Sequence, residues 1–331
     1  MFAGERCITE HMRILLIGHR HPWRMEAAVE RALRRAGHDT LLFDDRRTKR
    51  LFGRRATQFL ALRAARRFQP DFVFLSKCLA LDLETVATIV HGRRNAMWYH
   101  DPQWYADTDR PDVGHIAAVG KLSDVFFVTG FDEEWRALGL PARFLPAAGN
   151  RDIVPGKKAE RYASDISFIG GGYDPERAAF LTALSQQVDV RVFGPGWEEW
   201  RSDLHWNGHN VEGAEFASVC ASASIVLGVN PARAAGATTY ASDRMWMVML
   251  GGGFYMGART PGMDRMLLDG VHCGWYSGVE ECVRLSREYL ANPLARERVR
   301  TAGEAFVRAH HTYDQRIGNL LAGDAFTNPL D

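Results

Sequence analysis

The stretch SDRMWMVMLGGGFYMGARTPGMDRML, residues 242–267, puts a hydroxyl, a carboxylate and a guanidinium at the start of an apolar helical run. Ser242 is a helix-capping residue type; Asp243 and Arg244 fall in the first turn, and Trp246, Val248, Met249 and Leu250 form a buried face. A cation is disfavoured at a helix N-terminus, where the dipole is positive. A bound anion removes that conflict, because the guanidinium and the unpaired N–H groups can clamp one phosphate. Pairing of Arg244 with Asp243 or another acid is the structural alternative. Gly251 to Gly253 end the helix, and Thr260, Pro261 and Gly262 make a polar turn before the next helix start. In FIGGGYDPER, Gly170, Gly171 and Gly172 stand between a strand and a helix. Such a turn lets backbone N–H groups approach an anion closely, although a tight strand-to-helix connection explains three glycines as well. It is neither GxGxxG nor a P-loop, and neither GxSxG nor HExxH occurs.

The elements that must hold these residues alternate. RILLIG (13–18), DTLLFD (39–44), DFVFLS (71–76), NAMWYH (95–100) and DVFFVT (124–129) are short β-rich runs separated by helical patterns. That order predicts βαβ units and parallel sheets covered on both faces. WRMEAAVERALRRAGHD fits the first crossover helix, closed by Gly37. Residues 46–68, RRTKRLFGRRATQFLALRAARRF, read as a helix with a solvated basic face, a phosphate or lipid-head patch being the sharper alternative. From about residue 140 a stretch rich in Pro, Gly and charge reads as a linker. A second βα series follows in DISFIGGG (165–172), VDVRVFG (188–194), ASIVLGVN (223–230) and GGFYMG (252–257). The expected organisation is an unstructured extension over 1–11, a first domain over 12–150, a second over 151–311 and a tail over 312–331 that packs back toward the first. Ligands of such sheets bind beyond the carboxyl ends of the strands, and two lobes put the site in the cleft between them.

With 331 residues the chain is long enough for two cores. Lys and Arg number 41 against 40 Asp and Glu, a net charge of +1 that makes no global case for nucleic acid or an anionic membrane. The five cysteines lack zinc or redox spacing and read as buried thiols of a reducing compartment. The first residues lack an apolar core, so a cytoplasmic location is expected, and no apolar run approaches the roughly 20 residues of a membrane span.

Residues 242–316 resemble the carboxyl-terminal domain of group-one glycosyltransferases, most closely the spore-maturation CgeB-like branch. The resemblance rests on the Arg-x-aromatic start, the Gly-x-Phe run, the Thr-Pro-Gly loop, Asn292-Pro293 with Arg296, and HTYDQR at the end. DISFIGGGYDPER and VFGPGW extend it over most of residues 140–316, and WYHDPQW (98–104) adds a likeness in the first half. It implies an α/β GT-B architecture, two Rossmann-like doubly wound domains facing a cleft, in a bacterial-type enzyme. It further implies transfer of a hexose from a nucleotide-diphosphate sugar to a hydroxyl acceptor. No metal and no cofactor are expected; the nucleotide sugar is a co-substrate.

On this resemblance Arg244, with Ser242 and Asp243, contacts the donor diphosphate. Gly170, Gly171 and Gly172 line the donor side, and Thr260, Pro261 and Gly262 lie near the sugar or phosphates. Met247 stands where the family places a Glu, for which Asp243 or Glu212 can substitute. That departure keeps a binding module without turnover as one alternative, and a nucleotide-sugar epimerase is another. An inverting reaction needs a first-lobe base; Asp101 is the candidate, with His100 and His19 as alternatives. Asp101 as a turn residue before Pro102, and His19 with His21 as a merely polar loop, are the structural readings. DTD (107–109) matches a metal motif of another fold by chance, and HHTYDQR reads as structural. Trp98, Trp104, Trp197 and Trp275 read mostly as core, with stacking on a sugar or base as their sharper role.

Overall fold

The computed structural model describes residues 10–101, 111–234, 236–240 and 242–331. Two units result, one of residues 1–146 with 313–327, the other of 147–312 with 328–331. The division falls at Pro146, a few residues before the expected 150, and only part of the 312–331 tail joins the first unit.

The first sheet holds β1 (Arg13–Ile17), β2 (Asp39–Phe43), β3 (Phe72–Leu75), β4 (Arg94–Tyr99), β5 (Val125–Val128) and β6 (Ala142–Phe144). Its order is β2-β1-β3-β4-β5-β6, all parallel. The second holds β7 (Ser164–Ile169), β8 (Val190–Phe193), β9 (His205–Trp206), β10 (Ala223–Gly228), β11 (Tyr255–Ala258) and β12 (Gly274–Tyr276). Its order is β12-β11-β10-β7-β8-β9, again all parallel. Every β-run read from sequence became a strand, because a strand covered on both faces is a continuous apolar run. Ile14, Leu16, Val73, Phe74, Met97, Phe126, Ile166 and Leu227 are all fully buried.

In each sheet the chain reverses direction across the strand order, between β1 and β3 in the first and between β7 and β10 in the second. Where neighbouring crossovers leave in opposite directions, the loops part and open a crevice at the strands' carboxyl ends.

Three expectations need correction. The stretch after residue 140 is not all linker: Ala142–Phe144 pairs with β5, because Pro141 offers its carbonyl to Phe126 and the chain then runs on in register. The basic helix Asp45–Phe68 is broken at Gly53, whose φ of 78° and ψ of 172° are not helical. The extension does not reach residue 11, since the His11 ring binds the Gly37 carbonyl and Asp39.

Helix ends follow the sequence signals. Asp44 caps the helix at 45 through the Arg47 N–H, and Asp174 caps Pro175–Ser185 through the Arg177 N–H. Asp243–Leu250 ends with Gly252 at φ 86°, its N–H on the Met249 carbonyl and that of Gly253 on the Val248 carbonyl. This pair of bonds is the left-handed glycine stop.

One pH dependence follows from packing. Burial lowers the pKa of His272 from 6.5, helped by the nearby His310, and its Nδ1 accepts the Leu268 N–H. The unfolded imidazole therefore takes up its proton at higher pH than the folded one. Stability from this group is full above pH 6.5 and is lost as pH falls through the lowered folded-state value. His272→Asn, which keeps an acceptor but does not titrate, is expected to flatten the fall in melting temperature below pH 6.5.

Candidate functional site

The crevice between β7 and β10 is where the second unit gathers its chemistry. β7 ends at Ile169, and Gly170 to Gly172 follow at once. Glycine is required at 172 by close approach, since a Cβ would stand 2.4 Å from the Gly196 carbonyl oxygen; at 170 a Cβ would stand 2.1 Å from Arg244 Nη1, the movable end of a side chain. Facing them, Gly194 (φ 123°) passes so near that its Cβ would stand 2.3 Å from the Gly170 carbonyl oxygen. Trp197, fully buried, donates its indole N–H to that carbonyl at 2.8 Å and fixes the loop from below.

Arg244 leaves the first turn of Asp243–Leu250 and reaches back over this loop. Its Nη1 donates to the Ile169 carbonyl at 2.5 Å, and its guanidinium carbon lies 4.7 Å from the centre of the Phe168 ring. The partner is thus neither Asp243 nor another acid but the last carbonyl of β7, whose dipole is negative at that strand end. Among the described residues the other N–H groups of this guanidinium have no acceptor, so it keeps donors for an oxyanion. Arg177, buried at 8% exposure, lies over the same ring at 5.4 Å and donates Nη1 to the Gly171 carbonyl at 3.0 Å. Two guanidinium groups therefore lie against the Phe168 ring and beside the glycine loop, where two helix N-termini also begin.

The crevice is braced across its width. Asp174 accepts the Ala232 N–H at 2.8 Å besides capping its own helix. Asn230, just past β10, donates to Thr260 Oγ1 at 2.8 Å, and Pro261 takes the Thr239 N–H. Gly262, at φ 85°, starts the short helix Met263–Met266, and a Cβ there would meet Thr239 Cγ2 at 2.4 Å. Ser242 accepts the Arg244 N–H at 3.4 Å, as its capping role requires. Arg244, the glycine loop and the Thr-Pro-Gly turn thus converge on one sheet edge. Glu212 is exposed, accepts from Asn210 and precedes the helix Gly213–Ser222.

Sequence reasoning missed Arg177, Asp174 and Asn230. Asp174-Pro175 was legible as a cap signature, and Asn230-Pro231 as a strand end. Nothing in the sequence marks Arg177, whose partner is a backbone carbonyl. The stacking role fails for three tryptophans: Trp98, Trp197 and Trp275 are buried, with their indole N–H groups on Leu145, Gly170 and Leu267 carbonyls. Trp104 and DTD lie outside the described residues.

In the first unit the candidates sit at the corresponding edge. Asp101 follows β4 and pairs with Lys77 Nζ at 2.5 Å. Lys77 and Cys78 both hold left-handed φ, 52° and 51°, a costly conformation for residues with side chains. The His100 carbonyl accepts the Thr129 hydroxyl, and His19 stacks on His21 at 5.9 Å. Glu26, which sequence reasoning passed over as a helix residue, is 6% exposed and accepts Ser76 Oγ at 2.7 Å and the His19 N–H at 3.4 Å.

Known structures share this fold over almost all of the chain. A protein named Alr3699/HepE from Anabaena, solved with UDP and glucose, matches at a TM-score of 0.64 and 10% identity, covering 95% of this chain and 100% of its own. Sucrose-phosphate synthase from Thermosynechococcus elongatus matches at 0.66 and 13%, covering 95% and 99%. The fold is GT-B. The T4 phage protein BGT, solved with its UDP-glucose substrate, shares this GT-B arrangement at 0.60 and 10%, covering 93% and 98%. Residues 177–322, which contain the Arg244 helix and the Thr-Pro-Gly turn, match the family described as glycosyl transferase-like. Among curated proteins none matches by sequence. No helix among the described residues is long and apolar enough to cross a membrane.

Proposed function

We propose that the protein transfers a hexosyl group from a nucleoside-diphosphate sugar to a hydroxyl acceptor, without a metal ion. The supporting observation is the pair of guanidinium groups, Arg244 and Arg177, held over Phe168 beside the glycine loop. In the reaction the anomeric carbon–phosphate oxygen bond breaks and the nucleoside diphosphate leaves with added negative charge. Fixed cations and N–H dipoles stabilise that charge without reorganising, because the fold has already placed them. The relatives solved with UDP or UDP-glucose favour a uridine donor. The acceptor hydroxyl forms the new bond to the anomeric carbon, and its proton passes to a base; Asp101 is proposed, with His100 and His19 at the same sheet edge as the other proton acceptors.

The test is thermal shift against UDP, GDP, TDP, ADP and CMP and their common sugars. A ligand at 100 times its Kd adds about 2.7 kcal/mol, on the order of 5–10 °C for a unit of this size. One diphosphate is expected to give such a shift in the wild type, and Arg244→Ala to weaken its binding by about tenfold, the value of one charge-assisted bond. No shift with any nucleotide removes the donor-site assignment. Met247, half-exposed where the resemblance expects Glu, favours one rival reading. A shift with no donor consumption in the presence of any hydroxyl acceptor selects that reading, a binding module.

A further inference from the structure

We propose that the broken helix Asp45–Phe68 seats the protein on an anionic lipid surface, with Leu51, Phe52 and Phe59 entering the headgroup layer. Between residues 46 and 67 the chain carries nine Lys and Arg and no acid, although its net charge is only +1. One of the nine, Arg54, pairs with an acid, Asp82; the other eight have no ion-pair partner among the described residues. Uncompensated like charge at this density repels itself unless it is solvated or meets a negative surface.

The apolar part decides between those. Leu51, Phe52 and Phe59 are 57%, 62% and 64% exposed. Phe52 and Phe59 are also the only exposed phenylalanines among the described residues. A merely solvated basic face does not need them. Spacing puts them among the cations. The break at Gly53 leaves Leu51 and Phe52 at the end of the first helical stretch, directly after Lys49 and Arg50. In the second stretch Arg55, Phe59, Arg63 and Arg66 recur at intervals of three or four, which puts them on one face. The opposite face is small and inward, with Thr57, Ala61 and Ala65 buried. A helix lying flat on a bilayer has this composition: cations attract anionic headgroups while leucine and phenylalanine enter the acyl boundary. A phosphodiester chain offers the cations a partner too, but gives a leucine beside a phenylalanine nothing to enter.

The experiment is cosedimentation of the full chain with vesicles of phosphatidylcholine containing about one third phosphatidylglycerol, against phosphatidylcholine alone, at about 0.1 M salt. Partition is expected to be at least about a hundredfold stronger with the anionic lipid, given roughly a fivefold gain per cation at the surface. Leu51→Ser/Phe52→Ser/Phe59→Ser is expected to lower partition about tenfold or more, with circular dichroism and melting temperature unchanged because the three side chains are exposed. Lys49→Glu/Arg50→Glu/Arg55→Glu is expected to bring it to background. Equal partition into neutral and anionic vesicles, or none into either, overturns the proposal. So does wild-type partition by the serine variant, which marks a general polyanion site and would be seen as equal displacement of both proteins by RNA.

Discussion

Gly170→Ala is expected to lower affinity for the donor diphosphate by about tenfold, as Arg244→Ala does, while costing about 1 kcal/mol of stability. Gly170 has no left-handed φ, so alanine is permitted by the backbone. What the methyl meets is Arg244 Nη1 at 2.1 Å, the far end of a flexible side chain, with Phe168 next at 3.0 Å. The guanidinium swings away and the fold survives, but the cation leaves the Ile169 carbonyl and the methyl occupies the approach to the loop. Calorimetric titration with the diphosphate found in the thermal screen gives the number. The same change in an Arg244→Ala background is expected to add only a small further loss, because both act on one guanidinium. Wild-type affinity in Gly170→Ala would show that Arg244 does not hold the donor. Gly172→Ala behaves differently: its methyl would meet the Gly196 backbone, which cannot move aside, so unfolding rather than binding carries the cost.

Arg316→Ala is expected to destabilise the first unit by about 3 kcal/mol, seen as a fall of roughly 6–12 °C in the melting transition. Arg316 is 1% exposed; its Nε donates to the Pro146 carbonyl at 3.3 Å and its guanidinium lies 4.3 Å over the Phe326 ring. Burial pushes its pKa down to about 9, still charged at neutral pH. Truncation removes a buried donor from a carbonyl and leaves a hole under Phe326. Arg316→Lys restores charge but not the planar stack and is expected to recover only part of the loss.

The fold was legible because its signal is local: β3 reads as DFVFLS and the Asp174-Pro175 cap announces its helix. β9 and β12, with two and three residues, are too short for any period to show. β6 was hidden behind Pro141 in a stretch whose composition is that of a linker. Of the site, the glycine loop, the Arg244 helix and the Thr-Pro-Gly turn could be read, since each breaks a local rule or makes a turn. Their partners could not. Arg244 bonds a carbonyl 75 residues away, and a backbone acceptor leaves no mark on the side-chain sequence. Glu26 was concealed for a related reason: a carboxylate in the first turn of Met25–Arg35 is what a helix start ordinarily carries.

Residues 313–327 belong to the first unit although the whole of 147–312 precedes them. Tyr313 lies edge-on to Trp98 at 5.8 Å, and Arg94 donates to the Leu321 carbonyl. During translation the first sheet therefore waits for its last covering helix, Tyr313–Ala322, while the second unit is made, on the order of ten to thirty seconds at ordinary elongation rates. Over that interval the nascent chain carries an unfinished apolar flank, which is covered only once Tyr313–Ala322 has emerged.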